Sequence, residues 1–208
     1  MNETKPVITE LIYGALFAPA STFRRISGDP PLFYSFIVFL AVLVLTSLVQ
    51  IVIPQQVGNL PPELADALSG TGPYLGIIGA VFSVIGWFIQ AGVFQVFAEL
   101  FGGRGRAAEV LTVLAFASVP GVVIIPFRIF SYYTPDSLLS SFLTMAVTLA
   151  VIVWRIAILT IGLRETHQFS TGKALAAIFV PGAVILLAAG ILAASLIGLF
   201  VPFLNQVF

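Results

Sequence analysis

Four ionisable side chains stand within or at the edges of long apolar runs, and chemistry in this chain would have to begin with them: Glu99, Glu109, Arg128 and Arg155. A charge at the bilayer centre costs about 2.5–3.5 kcal/mol on insertion scales, so each needs a partner or a route to water. Arg155 lies roughly eight residues before Leu163, where the fourth apolar run ends, or about 12 Å at 1.5 Å per residue. Glu99 closes the second run and Glu109 opens the third. A bundle that packs these three helices together is expected to set Arg155 against Glu109 or Glu99, because pairing lowers the cost of both charges. Gln90 and Gln95 should find hydrogen-bond partners in the same interior. Two readings follow. One is a static strut; the other is an intramembrane polar site for a headgroup, an ion or a proton. Glu109 also suits the first turn of a helix, where a carboxylate faces unpaired N–H groups. Arg128 is expected to reach outward, with Asp136 as its partner.

Other chemistry is thin. The chain has no cysteine and one histidine, which removes thiolate nucleophiles and a histidine-built metal site. His167, between Arg164 and Lys173, reads as a solvated residue. Gly102-Gly103-Arg104-Gly105-Arg106 lacks the strand before it and the Gly-Lys-Ser/Thr ending of a nucleotide loop. It reads as a basic turn, with Arg104 and Arg106 near lipid headgroups. No Ser/His/Asp set or paired-carboxylate site is present, so no catalytic residue, metal or cofactor is expected. Nine basic residues balance nine acidic ones, which gives no footprint for nucleic acid.

The elements that must position these residues follow from composition. Of 208 residues, 59% are hydrophobic and 9% charged, with a mean hydropathy of +1.10. A soluble domain carries about 25% charged residues, so lipid must be the solvent for much of this surface. A spanning helix needs about 20 apolar residues, and five runs qualify: 34–53, 74–100, 107–130, 138–163 and 173–203. The fold class is therefore all-α integral membrane, a five-transmembrane-helix bundle. Pro120-Gly121 and Pro181-Gly182 are candidate helix breaks or kinks. Gly76, Gly79, Ala80, Ser83 and Gly86 recur at spacings of three and four, which permits close helix approach. That face could meet a neighbouring helix, or a second copy through Gly76, Ala80 and Ser83.

With the N-terminus in the cytoplasm, Lys5, Arg24, Arg25, Arg104, Arg106, Arg164 and Lys173 fall on the inner side and Arg128 on the outer. That is the arrangement of positive charge expected of a membrane protein, and it sets the C-terminus outside. Residues 1–33 form a cytoplasmic N-terminal segment and 34–208 the transmembrane domain. Leu11, Ile12, Leu16 and Phe17, then Phe23 and Ile26, give one or two short amphipathic helices. These lie in the membrane interface or pack under the bundle. Residues 11–20 end in Ala18-Pro19-Ala20, but Glu3, Lys5 and Glu10 ahead of them are not a signal peptide's basic start, so the segment is expected to be retained.

Several segments then bear on family. They are Phe17-Ala18-Pro19-Ala20-Ser21-Thr22-Phe23-Arg24-Arg25-Ile26, Pro30-Pro31 before the first span, the Gly102–Arg106 turn, Leu114-Ala115-Phe116-Ala117-Ser118-Val119-Pro120, and the turn from Leu163 to Ala174 with His167 and Ser170-Thr171-Gly172-Lys173. Together with five spans they resemble the Yip domain family, the Rab-interacting membrane proteins and their prokaryotic relatives. The resemblance covers about residues 15–195 and implies a five-helix bundle with a cytoplasmic N-terminus. Eukaryotic relatives act in vesicle trafficking and bind Rab GTPases. Here Gly28-Asp29-Pro30-Pro31-Leu32 stands near where they carry Asp-Leu-Tyr-Gly-Pro, which points to a prokaryotic-type member of a cell membrane. The function this implies is non-enzymatic: interaction with membrane lipids, or with a protein partner at the cytoplasmic face. A small transporter or channel subunit, working through Arg155, Glu99 and Glu109, is the rival reading.

Overall fold

The computed structural model describes residues 7–53, 72–135 and 137–207. Its elements run α1 (Ile8–Phe17), α2 (Pro19–Ile26), α3 (Leu32–Val52), α4 (Gly72–Leu100), α5 (Ala107–Ser118), a 3₁₀ turn (Val119–Val123), α6 (Ile124–Tyr133), α7 (Leu138–His167) and α8 (Thr171–Val207). Five stretches are long and apolar enough to cross a membrane: Leu32–Gln50, Gly76–Leu100, Ala107–Tyr133, Leu138–His167 and Thr171–Gly198. The chain is an all-helical membrane bundle with a short apolar helix ahead of its spans, as its hydropathy predicts. Glu63, Asp66 and Asp136 lie outside the described residues, and with Asp136 goes the expected partner of Arg128. Arg128 itself is exposed.

The third span is the axis of the bundle. α5 packs on α1, α3, α4 and α7, and its residues from Glu109 to Ala117 are buried almost all round. Apolar residues on every face of a helix are what such a central position requires. It approaches α7 closely. A Cβ placed on Gly162 would fall 2.5 Å from Val113 Cγ1, so the two backbones meet where only hydrogen fits. One residue earlier on α5, the Ser35 hydroxyl of α3 donates to the Thr112 hydroxyl at 3.1 Å.

Pro120 and Gly121 sit in the 3₁₀ turn that divides α5 from α6. Proline has no N–H to give and crowds the preceding turn, so the helix changes its winding there. Pro181 and Gly182 behave differently: of the kink or turn expected at them, the turn does not form. α8 runs through both as one helix, with Pro181 buried and Gly182 exposed. In a membrane helix, neighbours and local adjustment can meet the carbonyl that proline leaves free.

The N-terminal pair takes the second of its two expected arrangements. Leu11, Ala15, Phe23 and Ile26 are buried in the same core as α5 and α7. α2 begins with Pro19 at its first turn, where proline's preset φ and missing N–H cost nothing. The partly buried and buried apolar side of the pair packs under the bundle, while Tyr13 and Phe17 remain exposed.

Core residues concentrate at the end of the bundle that carries the basic turns. In α4 they are Trp87, Ala91, Phe94, Gln95 and Ala98; in α8 they are Ala174, Ala177 and Pro181; in α3 they are Ser35 and Val38. Beyond Pro181, α8 is exposed on every described side chain to Gly198.

Candidate functional site

The polar site at the basic end is assembled by two turns. Gly102 adopts φ +82°, which lets the chain leave α4 sharply. Gly103 N–H then donates to Ala98 O at 2.8 Å, and Arg104 N–H to His167 O at 3.2 Å, which joins this turn to the end of α7. The glycines on either side of Arg104 are required by the imidazole beneath them. A Cβ on Gly103 would lie 2.7 Å from His167 Cδ2; one on Gly105 would lie 2.9 Å from Nδ1 and 2.8 Å from Glu109 Oε2.

His167 is fully buried, 0% exposed, and so not the solvated residue its basic neighbours suggest. The reason is tertiary: the glycine turn closes over it, and Phe169 meets it edge-on with ring centroids 5.5 Å apart. Its Nε2 lies 3.2 Å from Gln95 Oε1 and its Nδ1 3.1 Å from the Thr166 hydroxyl. Gln95 Nε2 donates to Glu99 Oε1 at 2.7 Å and to Gly105 O at 2.8 Å. Since both amide protons are committed, Gln95 Oε1 is the acceptor and His167 Nε2–H the donor. The Thr166 hydroxyl also reaches Gly162 O at 2.9 Å.

Glu109, buried in the first turn of α5, works on its own side of the turn. Its Oε2 accepts from Arg106 N–H at 3.1 Å, the reach-back of a capping carboxylate. Its Oε1 accepts from Gly28 N–H at 2.8 Å. Arg106 Nη2 donates to Gly28 O in return. Gly28, at φ +93°, is thus held through both its peptide groups and ties the end of α2 to the start of α5. Arg106 remains exposed, with its Nε 3.9 Å from Glu109 Oε1.

The arrangement corrects several expectations. Arg155 meets neither Glu109 nor Glu99. It is exposed on α7, and no carboxylate among the described residues lies within ion-pair distance of it. α7 has 30 residues, about 45 Å, against a hydrocarbon thickness of about 30 Å. Arg155 lies roughly 12 Å from Leu163, a depth from which its long side chain can snorkel partway to headgroup level without a buried partner. Its neighbour Trp154 donates to Leu16 O at 3.4 Å, so that level of α7 already faces the polar end of α1. Gln90, expected inside, is exposed, whereas Gln95 turns in. Five residues rotate a side chain by about 140° round a helix, so only one of the two can face the core. Part of the small-residue face is open among the described residues: a Cβ on Gly79 or Gly86 would meet nothing within 4 Å, while Gly76 and Ala80 are half-buried.

A second polar group was missed in the sequence. Glu165 bridges Arg24 of α2 and Arg164 of α7, with contacts of 2.8 and 2.7 Å. A lone acid inside a basic turn was its only signal. Around the site Arg104 and Lys173 are exposed, with no side-chain ion pair among the described residues.

No cluster of His, Cys, Asp or Glu suited to a metal occurs among the described residues. The buried polar groups instead close turns and join helices. A family model described as the Yip1 domain matches residues 13–201 of the chain. No curated protein and no solved structure matches it.

Proposed function

Because this chain belongs to the Yip1 domain family, we propose that it is a non-enzymatic membrane protein that works by contact with lipid or with a protein partner at its cytoplasmic face. The N-terminus and the basic end lie in the cytoplasm in this reading, and the C-terminus outside. One observation carries it. At the basic end the buried polar groups, His167, Gln95 and Glu109, are spent on one another and on backbone, while cations such as Arg104 and Lys173 face outward. A surface built that way offers charge to a partner and keeps no reactive group for a substrate. Arg155 makes no ion pair with Glu99 or Glu109 among the described residues, which weighs against a transport site built on the three.

Two measurements test the reading. Photocrosslinkers at positions 104 and 173 should trap a discrete partner or lipid, and one at position 187 of α8 only bulk acyl chains. Purified protein in liposomes should pass no ion of a standard panel above empty vesicles; robust flux would remove the reading. A second copy, if one docks, is expected on the Gly76–Ala80–Ser83 face.

A further inference from the structure

Where α2 meets the end of α7, Arg24, Ser27, Arg164, Glu165, Gln168 and Phe169 surround an open depression of about 520 Å³. None of its polar side chains hydrogen-bonds to His167, Gln95 or Glu109 among the described residues. Glu165 Oε2 takes Arg24 Nε at 2.9 Å and Nη2 at 2.8 Å. Glu165 Oε1 takes Arg164 Nε at 3.0 Å and Nη2 at 2.7 Å. The acid lies beneath, its side chain 9% exposed, and the guanidinium groups lie above it at 73% for Arg24 and 34% for Arg164. One carboxylate thus fixes two cations side by side and leaves a net charge of one. Arg24 Nη1 has no partner among the described residues, and Arg164 Nη1 has only the Thr171 hydroxyl at 3.4 Å.

Two more donors line the same space. The Ser27 hydroxyl and the Gln168 amide make no hydrogen bond among the described residues. Gln168 occupies the left-handed position that ends α7, at φ +55°, where glycine is the usual residue and a side chain costs backbone strain. A glutamine kept at a strained position on the rim of a depression is the kind of outlier that accompanies a binding role.

We infer that this depression binds the phosphate group of an anionic ligand, in the membrane the headgroup of an anionic phospholipid. Guanidinium forks match phosphate oxygens in geometry and charge. Arg164 directly follows the apolar run that ends at Leu163, which sets the depression at headgroup level. Glu165 keeps the site at one positive charge, suited to a singly charged phosphodiester. The inference deepens the lipid-contact branch of the proposed function and rests on it.

The full chain in detergent is titrated with phosphatidylglycerol and with phosphatidylcholine by native mass spectrometry, and with inorganic phosphate by thermal shift. Phosphatidylglycerol should bind more tightly than phosphatidylcholine. Arg24→Gln and Arg164→Gln should each weaken binding about tenfold, the scale of one charge-assisted hydrogen bond. Arg25→Gln removes the same charge one residue away, at a side chain paired with Glu10, and should leave binding unchanged. Glu165→Gln should tighten it, since a repelling charge goes and two guanidinium edges are freed. Gln168→Gly should weaken binding while raising thermal stability, a combination that misfolding cannot produce. Binding of the lipid alone names the headgroup as the source; a response to inorganic phosphate alone names the free ion. Failure of both ligands to bind, equal loss in Arg25→Gln, or weakening in Glu165→Gln overturns the site. Ion flux through vesicles of the same composition would instead overturn the proposed function while leaving the pattern among the variants intact.

Discussion

Replacing His167 and Gln95 by leucine, singly and together, tests the buried network by the sign of an effect. His167→Leu keeps similar bulk but removes the donor to Gln95 Oε1. An orphaned buried acceptor costs about 1–3 kcal/mol, or roughly 2–12 °C in Tm for a chain of this size. Gln95→Leu takes a partner from His167 Nε2–H, Gly105 O and Glu99 Oε1; Glu99 is exposed and can turn to water, so the two remaining groups set a cost of about 2–5 kcal/mol on the same scale. In the double variant the histidine donor is gone as well, leaving only Gly105 O. The double variant should therefore be more stable than Gln95→Leu alone, because hydrocarbon replaces an unpaired buried N–H. Thermal unfolding in detergent, followed by tryptophan fluorescence, reads all three. Additive losses, with the double variant the least stable, would mean that the imidazole is solvated and unpaired with Gln95.

Three further variants probe the packing. Gly162→Ala should destabilise the bundle by about 1–3 kcal/mol, since its Cβ would lie 2.5 Å from Val113; Val113→Ala in the same chain should recover most of the loss in the same melt. Trp87→Phe should be neutral or stabilising. The indole stacks on Phe39 at 4.6 Å, but its Nε1 is buried with no hydrogen-bond partner among the described residues, so the change removes an unmet donor along with some contact area. Gly79→Leu should leave the monomer's stability within about 0.5 kcal/mol of the parent, because no described residue lies within 4 Å of a Cβ there. Light scattering in detergent reports whether a dimer, if present, is lost with it.

The spans were legible because hydropathy over some 20 residues is a property of the chain itself. Pro120 and Pro181 had the same sequence context and met different fates. Pro120 lies on the all-round buried central helix, Pro181 on a helix whose later turns are free to adjust. Gln95 was legible as a polar group needing an interior partner. His167 was not, because its burial depends on a turn 60-odd residues earlier in sequence. The Gly103-x-Gly105 spacing was the available signal, since alternate glycines permit close approach of another group. Arg155 was misread for a related reason: which side of α7 meets its neighbours is set by how the helices pack, and Arg155 falls on an exposed side.

The crowding of core residues toward the basic end has a mechanical consequence. At the basic end the helices are fastened together by buried side chains and hydrogen bonds; toward the other, the described side chains of α8 beyond Pro181 are exposed and left for acyl chains to cover. Tail length and unsaturation in the monolayer around that end should therefore govern how far α8 tilts, with little resistance from the protein. The molecule would respond to the lipid composition of one leaflet and hold its shape in the other.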